Sequence, residues 1–198
     1  MKLVALALAA ALPVLAASLD ADKSKIMGNP NAPVGIEVYS DFECPACRTF
    51  HIETLPQLIK DYVVPGKVCI IAREFPLNIP EHKYSREAAN YATAAARVGK
   101  YEAVADALFK TQTTWAASGK VWETVASVLT AAEQKKVQAL AKDPGVASEV
   151  QSDVERGQSA GINQTPTAIV MRGSKQYPLS GYALKYDLLT TLLNDLLK

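Results

Sequence analysis

The order in which apolar and polar positions alternate divides the chain into three regimes. The first follows a polar stretch at 19–31. The run VGIEVYS at Val34–Ser40 is rich in β-branched and aromatic residues and predicts a strand. Beyond it, Cys47, Phe50, His51, Leu55, Leu58, Ile59 and Tyr62 recur at three- and four-residue steps, the period of a helix with one buried face. Pro45 suits the first helical position, where its missing N–H costs nothing. Pro56 falls inside the pattern and predicts a kink, and Pro65-Gly66 ends the helix. The unbroken apolar centre of KVCIIARE at Lys67–Glu74 predicts a strand covered on both faces. Strand, crossover helix and strand make a right-handed βαβ unit.

The second regime, from Glu81 to about Ala160, is alanine-rich and reads as helices: Glu81–Val98, Tyr101–Trp115, Val121–Leu129, Ala131–Ala141 and Pro144–Ser159. Thr130 and Glu133 have the spacing of a capping box. Trp115 and Trp122 read as helix core rather than a binding groove. In the third regime, Thr167–Met171 and Gln176–Leu179 are strand runs on either side of a turn at Arg172–Lys175. A last helix, Leu184–Leu197, carries Leu188, Leu189, Leu192, Leu193 and Leu196 on one face. The outline is βαβ, a helical block, then ββα.

The N-terminus has a separate meaning. Met1-Lys2, the uncharged run Leu3–Ala17 and the small residues Ala16, Ala17 and Ser18 have the form of a secretory signal peptide, cleaved after one of those three. The run falls short of the roughly 20 apolar residues that span a bilayer. Export places the mature chain in a periplasmic or otherwise extracytoplasmic space, where dithiols tend to be oxidised. The formal charge of +1 carries no footprint for nucleic acid, and 49% hydrophobic against 21% charged residues suits a folded domain.

Three cysteines are too few for a disulfide scaffold, and two of them sit as Cys44-Pro45-Ala46-Cys47. This spacing on a first helical turn brings two sulfurs within bonding reach. Unpaired N–H groups and the helix dipole stabilise a negative sulfur at the N-terminus. Cys44 is therefore the expected exposed nucleophile, with a lowered thiol pKa, and Cys47, a turn further in, the resolving partner. A structural disulfide is the blander alternative, but so small a loop restrains the unfolded chain little. A metal site is another, and would need His51 or His82 as a further ligand. Cys69, among Val68, Ile70 and Ile71, reads as inert packing. Asp41 and Glu43 flank the pair and would oppose thiolate formation if close to Cys44. Asn163-Gln164-Thr165 matches a glycosylation acceptor by chance.

Three segments, VGIEVYSDFECPAC at 34–47, GKVCIIAREFPL at 66–77 and GINQTPTAIV at 161–170, resemble the DsbA-type thioredoxin-fold oxidoreductases. The resemblance covers nearly the whole mature chain. It implies a thioredoxin fold, βαβ…ββα around a four-stranded mixed sheet, with an inserted helical domain. The division is then 1–18 as signal peptide, 19–80 with 161–198 as the thioredoxin-like part, and 81–160 as the insertion. It makes Thr165-Pro166 the cis-proline loop, which faces the cysteines and binds substrate backbone as an added strand. It also makes Glu37 a candidate proton acceptor for the resolving thiol, beside the reading of a carboxylate that reaches water. Pro45-Ala46 departs from the Pro-His of strongly oxidising members. The implied function is oxidation of reduced exported proteins through a mixed disulfide, without cofactor or metal. A membrane quinone-linked oxidase of the DsbB or VKOR type would reoxidise the pair. A reductase or isomerase on the same fold, and a metal chaperone using the two cysteines, are the rival readings.

Overall fold

The computed structural model describes residues 22–198, so the signal-peptide segment lies outside the described residues. Its sheet has the order β1-β3-β2-β4-β5, with β1 Ile26–Met27, β2 Val34–Ser40, β3 Val68–Glu74, β4 Thr167–Arg172 and β5 Lys175–Ser180. β2 and β3 run parallel, and every other pairing is antiparallel. This is the anticipated four-stranded mixed sheet, extended at one edge by the two-residue β1. Ile26 and Met27 find partners in Ile71 and Ile70 there. Too short to show a pattern in sequence, β1 satisfies the exposed edge of β3.

The crossover from β2 to β3 starts with α1 Pro45–Thr49 and continues through α2 Leu55–Leu58. The two are joined and extended by wider turns at Phe50–Thr54 and Ile59–Val63. In these the amide bonds the carbonyl five residues back, as Leu55 N–H does with Phe50 and Val64 N–H does with Ile59. Pro56, lacking an N–H, sits just past the first wide turn. At the proline, where a kink is the expectation, the helix locally changes its hydrogen-bond step.

Between the two halves of the sheet come α3 Ser85–Ala96, α4 Tyr101–Lys110, α5 Gln112–Ser118, α6 Val121–Ala126, α7 Ala131–Leu140 and α8 Pro144–Ser159. The single helix expected over Tyr101–Trp115 is two helices that meet at Thr111. The anticipated box at α7 is complete: Thr130 Oγ1 accepts from Glu133 N–H, and Glu133 accepts from Thr130 N–H. α9 Tyr186–Leu196 closes the chain, with Leu189 and Leu193 fully buried.

Among the described residues two large apolar cores result, beside a smaller third one built on Tyr39, Phe75, Val154 and Ile162. One lies between the sheet and the crossover and C-terminal helices, built on Val34, Ile36, Leu58, Ile70 and Leu193. The other lies among the inserted helices, around Leu108, Trp115 and Val125, and takes in Phe42, Cys44 and Cys47. Trp115 is fully buried and donates its indole N–H to the Leu108 carbonyl at 2.7 Å. Trp122 is half-buried against Tyr91. On the other sheet face, α8 comes so close that a Cβ on Gly157 would stand 2.6 Å from the Phe75 ring. Glycine is required there by the approach of backbone to ring. Among the described residues no helix is long and apolar enough to cross a membrane.

Candidate active site

Cys44 is the residue immediately before α1, in extended conformation, and Pro45 opens the helix. Cys47 lies one turn in. Both are free thiols in this structure. Cys47 is 0% exposed and Cys44 only 7%. The expectation of an openly exposed Cys44 is thus corrected to a nearly covered one. The Thr165-Pro166 loop lies beside it, brought there by the antiparallel pairing of β4 with β2, and Cys44 also belongs to the core of the inserted helices. Cys44 Sγ donates to the Thr165 carbonyl at 3.4 Å, and the Thr165–Pro166 peptide is cis.

The two thiols are driven in opposite directions. Cys44 is lowered to about 6 by a hydrogen bond from Cys47, helped by Thr165 and the backbone N–H groups of Cys47 and Ala46, against the opposing effect of burial. Cys47 is raised well above an ordinary thiol, first by burial, then by its hydrogen bond to Cys44 and the charge there. Its sulfur accepts from the Asp41 backbone N–H at 3.4 Å. A thiolate available near neutral pH beside a thiol that keeps its proton is the pairing that thiol–disulfide exchange uses. The Thr165 hydroxyl is buried with no hydrogen-bond partner among the described residues, so it is free to donate to a thiolate.

The segment before the pair is held by groups that sequence reasoning left unconnected. The Asp41 carboxylate accepts from Glu43 N–H at 2.7 Å and from Leu77 N–H at 2.8 Å. It also pairs with His82 Nδ1 at 2.7 Å and with the Ser85 hydroxyl. Glu43 accepts from Tyr84 N–H at 2.6 Å and from Ser85 Oγ at 3.1 Å. Both carboxylates are therefore spent on tying residues 41–43 to residues 77–85. From the opposite side, Gln112 donates its amide to the carbonyls of Phe42 at 2.7 Å and Cys44 at 3.0 Å. The Asp41–Glu43 step is an Asx turn that sequence could have flagged. Gln112, inside a helix, gives no such signal.

The remaining candidates lie away from the sulfurs' hydrogen bonds. Glu37 is buried and accepts from Arg73 at 2.6 and 3.1 Å and from the Tyr39 hydroxyl at 3.0 Å, so its partners are these groups rather than Cys47. Arg73 continues to Asp153 at 3.0 Å. Buried Lys25 joins Glu149 at 2.9 Å, Asp153 at 3.7 Å and Glu74 at 3.9 Å. His51 stacks on Phe109 and pairs with Asp106 at 3.5 Å, while His82 is bound to Asp41. Among the described residues no cluster of three or more His, Cys, Asp or Glu is placed to hold a metal ion. Cys69 is fully buried in β3 opposite Gly35.

Comparison with known proteins agrees with this geometry. The thioredoxin family model matches residues 20–180. Over 50 residues the chain is 42% identical to a probable disulfide bond formation protein D of Bacillus cereus, a match covering 25% of the chain and 23% of that protein. Over 155 residues it is 26% identical to disulfide bond formation protein D of Bacillus subtilis, covering 73% of the chain and 66% of that protein. In both cases the matched stretch is less than two thirds of the relative's length. The structure of Wolbachia pipientis alpha-DsbA1 superposes with a TM-score of 0.71 at 20% identity, covering 87% of this chain and 90% of that one. That last likeness is one of fold.

Proposed function

Because the chain belongs to the thioredoxin family, with a fold of the DsbA type, we propose that it is an exported protein disulfide oxidoreductase that acts as an oxidase. The observation that carries this reading is the split between the two thiols: Cys44 is lowered to about 6 and Cys47 is held protonated. Stabilising the thiolate stabilises the reduced form, and a stable reduced form makes the disulfide a stronger oxidant.

In the forward direction the protein carries the Cys44–Cys47 disulfide. A substrate thiolate attacks Cys44 Sγ, the Cys44–Cys47 bond breaks, and Cys47 leaves as a thiolate that takes up a proton. The second substrate thiol, losing its proton, then attacks the substrate sulfur of the mixed disulfide. The substrate disulfide forms and Cys44 departs as the stabilised thiolate. Two electrons pass to the protein. A membrane thiol oxidase of the DsbB or VKOR class returns the pair to the disulfide by accepting them. Thr165 and Pro166 line the approach to Cys44 and present backbone groups to the substrate strand. In the reverse direction the same steps describe a reductase, the alternative reading.

The test mixes oxidised protein with a reduced, unfolded protein that carries one cysteine pair. One substrate disulfide should appear per protein disulfide lost. A Cys47→Ser variant, activated at Cys44 as a mixed disulfide with glutathione, should hold a substrate that carries a single cysteine as a mixed disulfide on Cys44, since no second thiol is there to release it. Transfer that persists in Cys44→Ser would overturn the assignment.

A further inference from the structure

Beside the redox pair lies a second feature that the exchange reaction leaves unused. It is an open groove of about 760 Å³ between the loop after β3, the start of α3, the outer face of α8 and the loop leading to Thr165. Phe75 and Val154 give it an apolar floor. Its charged walls are cationic: Lys83 and Arg86 line it, with His82 and the amides of Gln151 and Asn163, and among the described residues no acidic side chain does. Glu155 accepts from Gln151 Nε2 at 3.0 Å but is not among the lining residues. The nearby carboxylates of Asp41 and Glu43 are buried and spent on the hydrogen bonds described above. Lys83 and Arg86 are exposed, and Arg86 donates to the neutral amide of Gln151 at 3.2 Å.

The groove adjoins the redox site through two links. Asn163 is two residues before Thr165, whose carbonyl meets Cys44 Sγ. His82 is bound to Asp41, whose backbone N–H meets Cys47 Sγ. A polypeptide lying against the Thr165-Pro166 loop would therefore run its flanking residues into a cationic channel with an apolar floor. We infer that this groove selects substrates, taking an extended polypeptide segment whose residues next to the reacting cysteine are acidic. The inference rests on the reading of the protein as an oxidoreductase of polypeptide thiols. Its charge pairs lie at a solvated rim, so they act on encounter and specificity more than on tight binding.

Two probe peptides decide it, each carrying an uncharged fluorophore and serine in place of cysteine. One has Asp and Glu around the serine, the other Asn and Gln. Binding of each to the full chain is followed by fluorescence anisotropy at low and at ~0.5 M salt, where exposed charges are screened. The acidic probe should bind at least about threefold more tightly. That advantage should vanish at high salt and in Lys83→Gln/Arg86→Gln, while the variant's rate with dithiothreitol stays at the wild-type value. Lys83→Glu/Arg86→Glu should reverse the preference. Equal affinity for the two probes, or an advantage that survives the double substitution, overturns the inference. Serine probes form no mixed disulfide. An acidic preference in a protein that oxidises no dithiol would therefore uphold the groove and reject the oxidoreductase reading. Oxidation of cysteine peptides without any acidic preference would do the reverse.

Discussion

Cys44 Sγ donates to the Thr165 carbonyl at 3.4 Å, joining positions 121 residues apart in sequence. The contact fits only the protonated sulfur, because a carbonyl oxygen facing a thiolate has nothing to accept. Among the described residues the Thr165 hydroxyl has no other hydrogen-bond partner, and by donating to the charged form of Cys44 it lowers that thiol. One residue thus offers an acceptor to the thiol and a donor to the thiolate. That suits a sulfur which must change protonation state without rebuilding its surroundings.

The pH dependence of Cys44 reactivity follows directly. Only the thiolate attacks iodoacetamide, so labelling of reduced protein should rise through a midpoint near 6, where Cys44 titrates. Cys47, raised by burial and by its bond to Cys44, should label far more slowly at every pH below its own titration. Cys47→Ala removes the largest lowering influence on Cys44 and should move the midpoint upward. Mass spectrometry of limited labelling reads both sites. Faster labelling of Cys47 than of Cys44 would reverse their roles.

Cys69 should be chemically silent. It is fully buried in β3, and burial raises its thiol. Native protein should leave it unlabelled while Cys44 reacts. Cys69→Ala should cost on the order of 1 kcal/mol of stability, as a small core truncation does, and leave the rate of disulfide transfer unchanged. Loss of transfer by a folded Cys69→Ala or Cys69→Val protein would show that the residue takes part.

Stability should carry the mark of Glu74. Burial lifts this carboxyl to about 7 despite the opposing pull of Lys25. In the unfolded chain it titrates near the ordinary value of 4.5. Between those two values the folded state holds a proton that the unfolded state has lost, so this group's contribution to stability falls as pH rises through that window. Glu74→Gln cannot titrate. Its stability relative to wild type should therefore improve by about 3 kcal/mol between pH 4.5 and 7. Urea midpoints at the two ends of the window measure this, and parallel pH profiles for the two proteins would contradict it.

Much of this arrangement is legible in sequence because it is local. Val34–Ser40 has the β-branched and aromatic content of a strand, Pro45 sets a helix start beside Cys44, and Thr130 and Glu133 announce their cap three positions apart. The thioredoxin fold follows from the order of such segments. What stays hidden is pairing across distance. No pattern in 41–43 foretells that His82 and Ser85 will bind Asp41, or that Gln112 will reach the carbonyls of Phe42 and Cys44. Glu37 shows the same limit. An acid within an apolar run is visible, but its tie to Arg73 is created by the parallel register of β2 and β3, which sets Glu37 opposite Ile71 and Tyr39 opposite Arg73. Lys25 is buried for a similar reason, since its carboxylate partners come from β3 and α8.

The direction of exchange is open to the sharpest test, at Ala46. Strongly oxidising relatives carry histidine at this place, and here the helix start, Cys47 and Thr165 already lower Cys44 to about 6. Ala46 is exposed, with room for a larger side chain. A histidine there adds a donor, and a positive charge when protonated, next to the thiolate, so Ala46→His should lower the Cys44 thiol further. The reduced form gains stability relative to the disulfide, and the reduction potential rises. A tenfold shift in the exchange equilibrium is about 30 mV for a two-electron couple, and one such step is the expected gain. Wild type and variant are equilibrated with glutathione buffers and the oxidised fraction is read. An oxidase requires a wild-type potential clearly above that of thioredoxin, about −270 mV, and a value at or below it would make the protein a reductase. A variant potential equal to or below wild type would reject thiolate stabilisation as the controlling effect. The wild-type value decides the direction and the difference decides its cause, so either can fail alone.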